Sequence, residues 1–301
     1  MPQLFYCLVR TWDQTSIMRS LILGLLPLIA ATPALAEEIG ECRFSRETLT
    51  FAGTPLEQAS CLMRKIEVGA VRKPQPLPPV LVHLMTDAPP PSAAQKAAAI
   101  AAFPEPYRSY AMQYADAPVS KTEGELPLLY FVIHDTSTPF YRHDPFPRHL
   151  NEDWKVNDFT PYMDGSIAKA PVAHIFLNRV GQIWAGHEFQ EAWRATKLES
   201  RVVGSPARGR MVHIETVQPR RFLPGYDDRG HTYGPKPGFT KQQYRMLAAL
   251  YVYVSARAGH WLIPAQHNTV DSTIPDAHDD PQNFDLKSFG KEVEKLVKAG
   301  R

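Results

Sequence analysis

Leu128-Leu129-Tyr130-Phe131-Val132-Ile133 is an unbroken apolar run of strand length. A strand with one wet face would alternate apolar and polar residues. A run without alternation is expected to be buried on both faces, which places it inside a sheet covered by further layers. The run ends at His134 and passes into the polar Asp135-Thr136-Ser137-Thr138. Carboxyl ends of strands are where α/β sheets hold their functional groups. A single imidazole there is equally at home as a structural residue, so His134 needs partners before it carries chemistry.

The rest of the pattern supplies the other layers. Ala173 to Asn178, a turn at Val180-Gly181 and Gln182 to Ala185 read as a β-hairpin, and Met211 to Val217 as another strand. Thr240 to Arg257 is expected to be a helix, opened by a Thr240/Gln243 capping box and closed near Gly259. Leu286 to Lys298 places Leu286, Phe289, Val293, Leu296 and Val297 on one helical face. Strands interspersed with helices predict an α/β domain with a mixed central β-sheet flanked by helices.

Upstream lies a segment of different character. Thr54-Pro55-Leu56-Glu57 reads as a capping box with proline at the first helical position, followed by a short helix carrying Cys61. Pro-rich stretches at 73–79 and 87–91 precede an Ala-rich helix at 93–103. Residues 37–120 are therefore read as an N-terminal, Pro/Ala-rich extension packed on a main domain at 121–301. Residues 1–36 carry an export signal: Arg19, the apolar run Leu21 to Ile29, and Ala34-Leu35-Ala36 ahead of Glu37. The run is short for a membrane span, so cleavage is expected, with no stable membrane anchor afterwards. Delivery to the periplasm or cell envelope follows.

Export bears on the cysteines. Of three, Cys7 precedes the signal, leaving Cys42 and Cys61 as an even pair in an oxidising compartment. That favours a disulfide, with two free buried thiols as the alternative. Neither has a Cys or His neighbour at zinc-ligand spacing. The formal charge of +2 drops to +1 once Arg10, Arg19 and Asp13 leave with the signal. A near-neutral chain gives no electrostatic reason to bind nucleic acid. The oligomeric state is not written in the pattern.

Eleven histidines are present, and position sorts them. His267 follows the long helix, and Asp280 lies in His278-Asp279-Asp280-Pro281. Two imidazoles and a carboxylate, with one coordination position left open, are the donor set of a catalytic zinc site. No HExxH motif exists, because His187-Glu188 lacks the second His. His174 faces either core or groove; His213 and Glu215 share one strand face. His143, His149, His187, His231 and His260 are read as surface or packing residues. Pro219 to Gly238 is long for a loop, and its Arg221, Tyr226 and Tyr233 could line a groove.

Taken together, these pieces resemble the type 2 N-acetylmuramoyl-L-alanine amidases, the fold of the peptidoglycan recognition proteins and phage lysozyme-like amidases. Phe131-Val132-Ile133-His134-Asp135-Thr136 is similar to that family's opening strand. Ala173-His174-Ile175 leading to Asn178-Arg179-Val180-Gly181-Gln182-Ile183 is similar to its hairpin, Ala192-Trp193 to its Ala-Trp-His segment, and Val212-His213-Ile214-Glu215 to its Ile-Gly-Ile-Glu strand. His267 and Asp280-Pro281 resemble its closing segment, and the likeness spans about residues 126–290.

The resemblance implies zinc (Zn2+) held by His134, His267 and Asp280, with Glu215 handling the proton of the attacking water. His278 stands where the family often has a Lys that donates to the oxyanion. Trp193, Arg194 and Tyr233 are expected to contact substrate, which would be peptidoglycan or its muropeptides, cut between N-acetylmuramic acid and L-alanine. Arg194 replaces the usual His after Trp193, and Gln282 the usual Gly after Pro281. These departures leave a non-catalytic peptidoglycan-binding module of the same fold as the alternative. A structural envelope protein is the third reading.

Overall fold

The computed structural model describes residues 38–68, 71–166 and 170–300. They fall within one compact unit, Ala36–Arg301. The expected signal peptide, and Cys7 with it, lies outside the described residues.

Five strands make the central sheet: β1 (Tyr130–Asp135), β2 (Ile175–Leu177), β3 (Ile183–Ala185), β4 (Met211–Thr216) and β5 (Ile263–Gln266). Their order is β5-β1-β4-β2-β3, parallel except for the antiparallel β2–β3 hairpin. The apolar run from Leu128 supplies β1, and every residue of that strand is buried. The hairpin turns at Gly181, whose φ of 87° is open to glycine and strained for other residues.

Register does the work of assembling a site. His134 pairs with Glu215 across β1–β4, and Gln266 pairs with Ile133 across β5–β1. His267, the next residue, leaves the sheet beside His134. All three therefore sit at the carboxyl end of neighbouring parallel strands. His267 opens a single helical turn, His267–Val270, directly after β5, rather than lying in an open loop.

Helix α1 spans Pro55–Leu62, α2 Pro79–Thr86, α3 Ala93–Ala102, α4 Tyr107–Gln113, α5 Lys241–Ala258 and α6 Leu286–Ala299. Helix α5 begins at the Thr240/Gln243 capping box and stops at Gly259 in the left-handed region (φ 75°). It is sandwiched between α3, α6 and the sheet, which explains why twelve of its residues are buried. Phe131 of β1 meets Tyr251 of α5 edge-to-face at 5.4 Å. Helix α6 lays Leu286, Phe289, Val293 and Val297 into the same core.

Residues upstream of 120 share that core. Phe44, Phe51, Leu62, Leu81 and Phe103 join one cluster with Phe131, Tyr251 and Phe289. The tie is polar as well: Tyr130 Oη accepts from Phe51 N (2.9 Å) and donates to Gln58 Oε1 (2.7 Å). Cys42 and Cys61 are joined by a disulfide, which staples α1 to the short strands before it. The bridge closes a loop of 19 residues, and chain-entropy arguments assign a loop of that size about 3 kcal/mol. Replacing both cysteines by serine is expected to lower the unfolding free energy by about that amount, read as a lower urea midpoint at unchanged slope. Among the described residues no helix is long and apolar enough to cross a membrane.

Candidate metal centre

His134, His267 and Asp280 converge. Each offers one ligand atom, and those atoms lie within 4.8 Å of one another. All three residues are buried. Asp280 is brought in by the loop ahead of α6, where its Oδ2 accepts the backbone N–H of Asp135 at 3.0 Å. His267 Nδ1 approaches Asp280 Oδ1 to 3.0 Å, and its Nε2 bonds Asp271 Oδ2 at 3.0 Å. His134 turns Nε2 towards His213 Nδ1 (3.1 Å), leaving Nδ1 3.9 Å from both Asp280 Oδ2 and Glu215 Oε1.

Burial and charge set the protonation states. Burial, with the neighbouring His267 and His213, pushes His134 well below the usual imidazole range, so it stays neutral. His267 goes the other way: burial opposes its charge, but the Asp280 and Asp271 carboxylates outweigh it and raise the group. Asp280 is held below the usual carboxylate range by His267 in spite of its burial. Glu215 is pushed up to about 8 by burial and by the negative Asp280. His278 is lowered by burial and by His267.

The polar atoms left over test whether a cation fits. His134 Nδ1 and Glu215 Oε2 are buried without a hydrogen-bond partner, and Asp280 Oδ1, though 3.0 Å from His267 Nδ1, has no aligned hydrogen bond either. Orphaned buried polar atoms are expensive and rare, so three at one point need an explanation. Two imidazole nitrogens and a carboxylate are the donors that a divalent ion such as zinc accepts, and such an ion would displace the His267 proton. The residues fit the group.

Above this centre opens a cleft of about 1060 Å³, whose lining includes Glu215, His267, His278, Trp193, Arg194 and Arg220. The His278 side chain is 60% exposed, with its ring 4.8 Å from that of His267. Trp193 stacks on His187 at 3.9 Å, which fixes it as cleft wall. Tyr233 is not among the cleft-lining residues; it packs against Phe146 and under the Arg221 guanidinium. His174 is fully buried in the sheet, where its Nδ1 accepts the His213 N–H at 3.1 Å.

Several participants escape a reading of the sequence. Asp135 and Arg220 form a buried pair at 2.7 Å beside the centre, and Arg220 Nη1 also approaches Asp279 (3.5 Å). Asp271 lies four residues after His267, the spacing that puts two side chains on one helical face. That spacing was the available signal for it. Glu199, which reaches the centre through His213, leaves no comparable mark.

Fold and site together define a mixed α/β protein with a candidate metal centre at the carboxyl end of its sheet. No protein-family model matches the sequence, and no curated protein matches it. A solved structure described as "crystal structure of Se-Met AmpD derivative" is similar to it at 20% sequence identity and a TM-score of 0.35, over 59% of this chain and 92% of that one.

Proposed function

We propose that the chain is an exported zinc-dependent amidase that hydrolyses the bond between the N-acetylmuramic acid lactyl group and L-alanine in peptidoglycan. The observation that carries this reading is the convergence of His134, His267 and Asp280, with unpartnered polar atoms, beside a buried Glu215 and under an open cleft. The substrate class comes from the sequence resemblance to the type 2 amidases. Residues 121–301 carry the chemistry in this reading, 37–120 support it, and 1–36 deliver the protein to the envelope.

When bound, zinc supplies a Lewis acid that polarises the scissile carbonyl and acidifies water. The protein's own groups do the rest. Glu215, with Oε1 3.9 Å from His134 Nδ1, accepts a proton from the water that attacks the carbonyl carbon. It returns that proton to the amine of L-alanine as the C–N bond breaks. His278, exposed at the mouth, donates to the carbonyl oxygen as it gains negative charge. Trp193 and Arg194 offer a flat apolar face and a cation to the sugar and peptide.

Digestion of purified sacculi followed by mass spectrometry tests the bond. Free stem peptides beginning with L-alanine, with glycan strands left uncut, are the expected products. Muropeptides still joined to their sugar would reject the assignment.

A further inference from the structure

Behind His134 runs a line of buried side chains that the reaction above does not use. His134 Nε2 is hydrogen-bonded with His213 Nδ1 at 3.1 Å, and His213 Nε2 lies 3.0 Å from Glu199 Oε2 in ion-pair contact without hydrogen-bond alignment. Both His213 and Glu199 are 0% exposed at the side chain. Glu199 Oε2 also accepts the backbone N–H groups of Ala195 and Thr196, both at 3.2 Å, and the Thr196 hydroxyl at 2.9 Å. Three donors therefore fix the carboxylate as an acceptor, and although His213 Nε2 at 3.0 Å is not aligned for a hydrogen bond, a lone pair there would be repelled by the carboxylate while an N–H would be attracted.

That preference propagates. If His213 carries its proton on Nε2, towards Glu199, then its Nδ1 is a bare lone pair. A lone pair facing His134 Nε2 requires the His134 proton to sit on Nε2. His134 Nδ1 is then unprotonated, and Nδ1 is the atom left without a partner on the side of His267 and Asp280. We propose that Glu199 and His213 are positioning residues, a two-residue relay that locks His134 in the tautomer whose Nδ1 lone pair is free for a metal ion. The proposal rests on the metal-centre reading given above.

The second imidazole is held from the same place. His267 Nε2 bonds Asp271 Oδ2, and the Asp271 carboxylate accepts the backbone N–H groups of Lys197 and Leu198 at 2.8 and 2.9 Å. Residues 195–199 thus anchor both carboxylates that orient the two histidines. The flanking Trp193, Arg194, Ser200 and Arg201 line the cleft. One segment is at once the cleft wall and the rear support of the centre.

Two measurements decide the proposal. Ring-nitrogen NMR of the purified metal-free protein is expected to find the proton on Nε2 in both His134 and His213; a proton on Nδ1 of either ring overturns the relay without any variant being made. Zinc affinity by chelator competition is the second. Glu199→Gln can keep an oxygen for the Ala195 and Thr196 donors but removes the negative charge that holds the proton on His213 Nε2. Together with His213→Gln it is expected to weaken zinc binding by roughly 10–100-fold, the usual effect of losing an outer partner of a ligand. The thermal midpoint of the metal-free Glu199→Gln protein is expected to stay near that of the unmodified chain, since a buried acceptor remains. Unchanged zinc affinity in both variants overturns the relay while leaving the metal centre standing. If the unmodified protein binds no zinc at all, the metal-centre reading falls, and the ring-nitrogen pattern still decides the tautomers.

Discussion

Asp280→Ala is expected to abolish hydrolysis of sacculi, with a fall in rate of about 10³-fold or more, and to strip zinc from the purified protein. Asp280 is the only carboxylate among the three converging ligands, and its charge offsets His267 at 3.0 Å. Its loss removes one of three donors outright, so affinity should fall further than the roughly 10–100-fold typical of outer partners. Metal-supplied stabilisation of a developing oxyanion amounts to several kcal/mol, and each ~1.4 kcal/mol is tenfold in rate. Chelation of the unmodified protein should reach the same inactive state, and added zinc should restore the unmodified protein but not the variant. Asp280→Asn keeps the shape and the acceptor for Asp135 N–H, and so separates loss of metal from loss of folding. A variant that retains stoichiometric zinc, or that digests sacculi at the unmodified rate, removes Asp280 from the site.

How much of this was legible follows from which signals are local. Strand β1 and helix α5 can be read directly, because an unbroken apolar run and a capped segment ending in glycine are signals carried by adjacent residues. Strand β5 cannot, because Ile263-Pro264-Ala265-Gln266 is short and holds a proline. Only its place at the sheet edge, paired on one side to β1, makes that proline tolerable. Helix α2 hides in a Pro-rich stretch for a related reason: Pro79 occupies the first helical turn, where its missing N–H is harmless.

The centre divides along the same line. Residue types at strand ends suggest candidates, but spacing alone cannot bring His134, His267 and Asp280 to one point. That depends on the registers His134–Glu215 and Ile133–Gln266, which are properties of the assembled sheet. His213 is legible as the neighbour of Glu215 on one strand face. Glu199 is not, because its approach to His213 comes from a separate short π-helical turn, Leu198–Val202, and not from sheet register. Tyr233 shows what a loop aromatic leaves open in the sequence: the short β-pairing of Tyr233 with Arg221 sets its ring against Phe146.

Glu215→Gln is expected to lower kcat by about 10²–10⁴-fold, the range for losing a positioned general base, while KM and zinc content hold. The separation of effects follows from geometry. Glu215 Oε1 stands 3.9 Å from His134 Nδ1, outside the converging trio, so its amide leaves all three ligands in place. Burial and the neighbouring Asp280 raise the metal-free carboxyl to about 8, and a divalent cation beside it would favour the ionised form that accepts a proton. Glutamine has the same shape but cannot accept and return a proton. Its stability effect should be small, because removing a buried carboxyl that is already disfavoured as an anion offsets the loss of its contacts. Retention of zinc with loss of turnover would separate Glu215 from Asp280, whose variant loses both. A kcat within about tenfold of the unmodified enzyme would leave proton transfer to another group, and the exposed His278 at the cleft mouth would then be the next to replace.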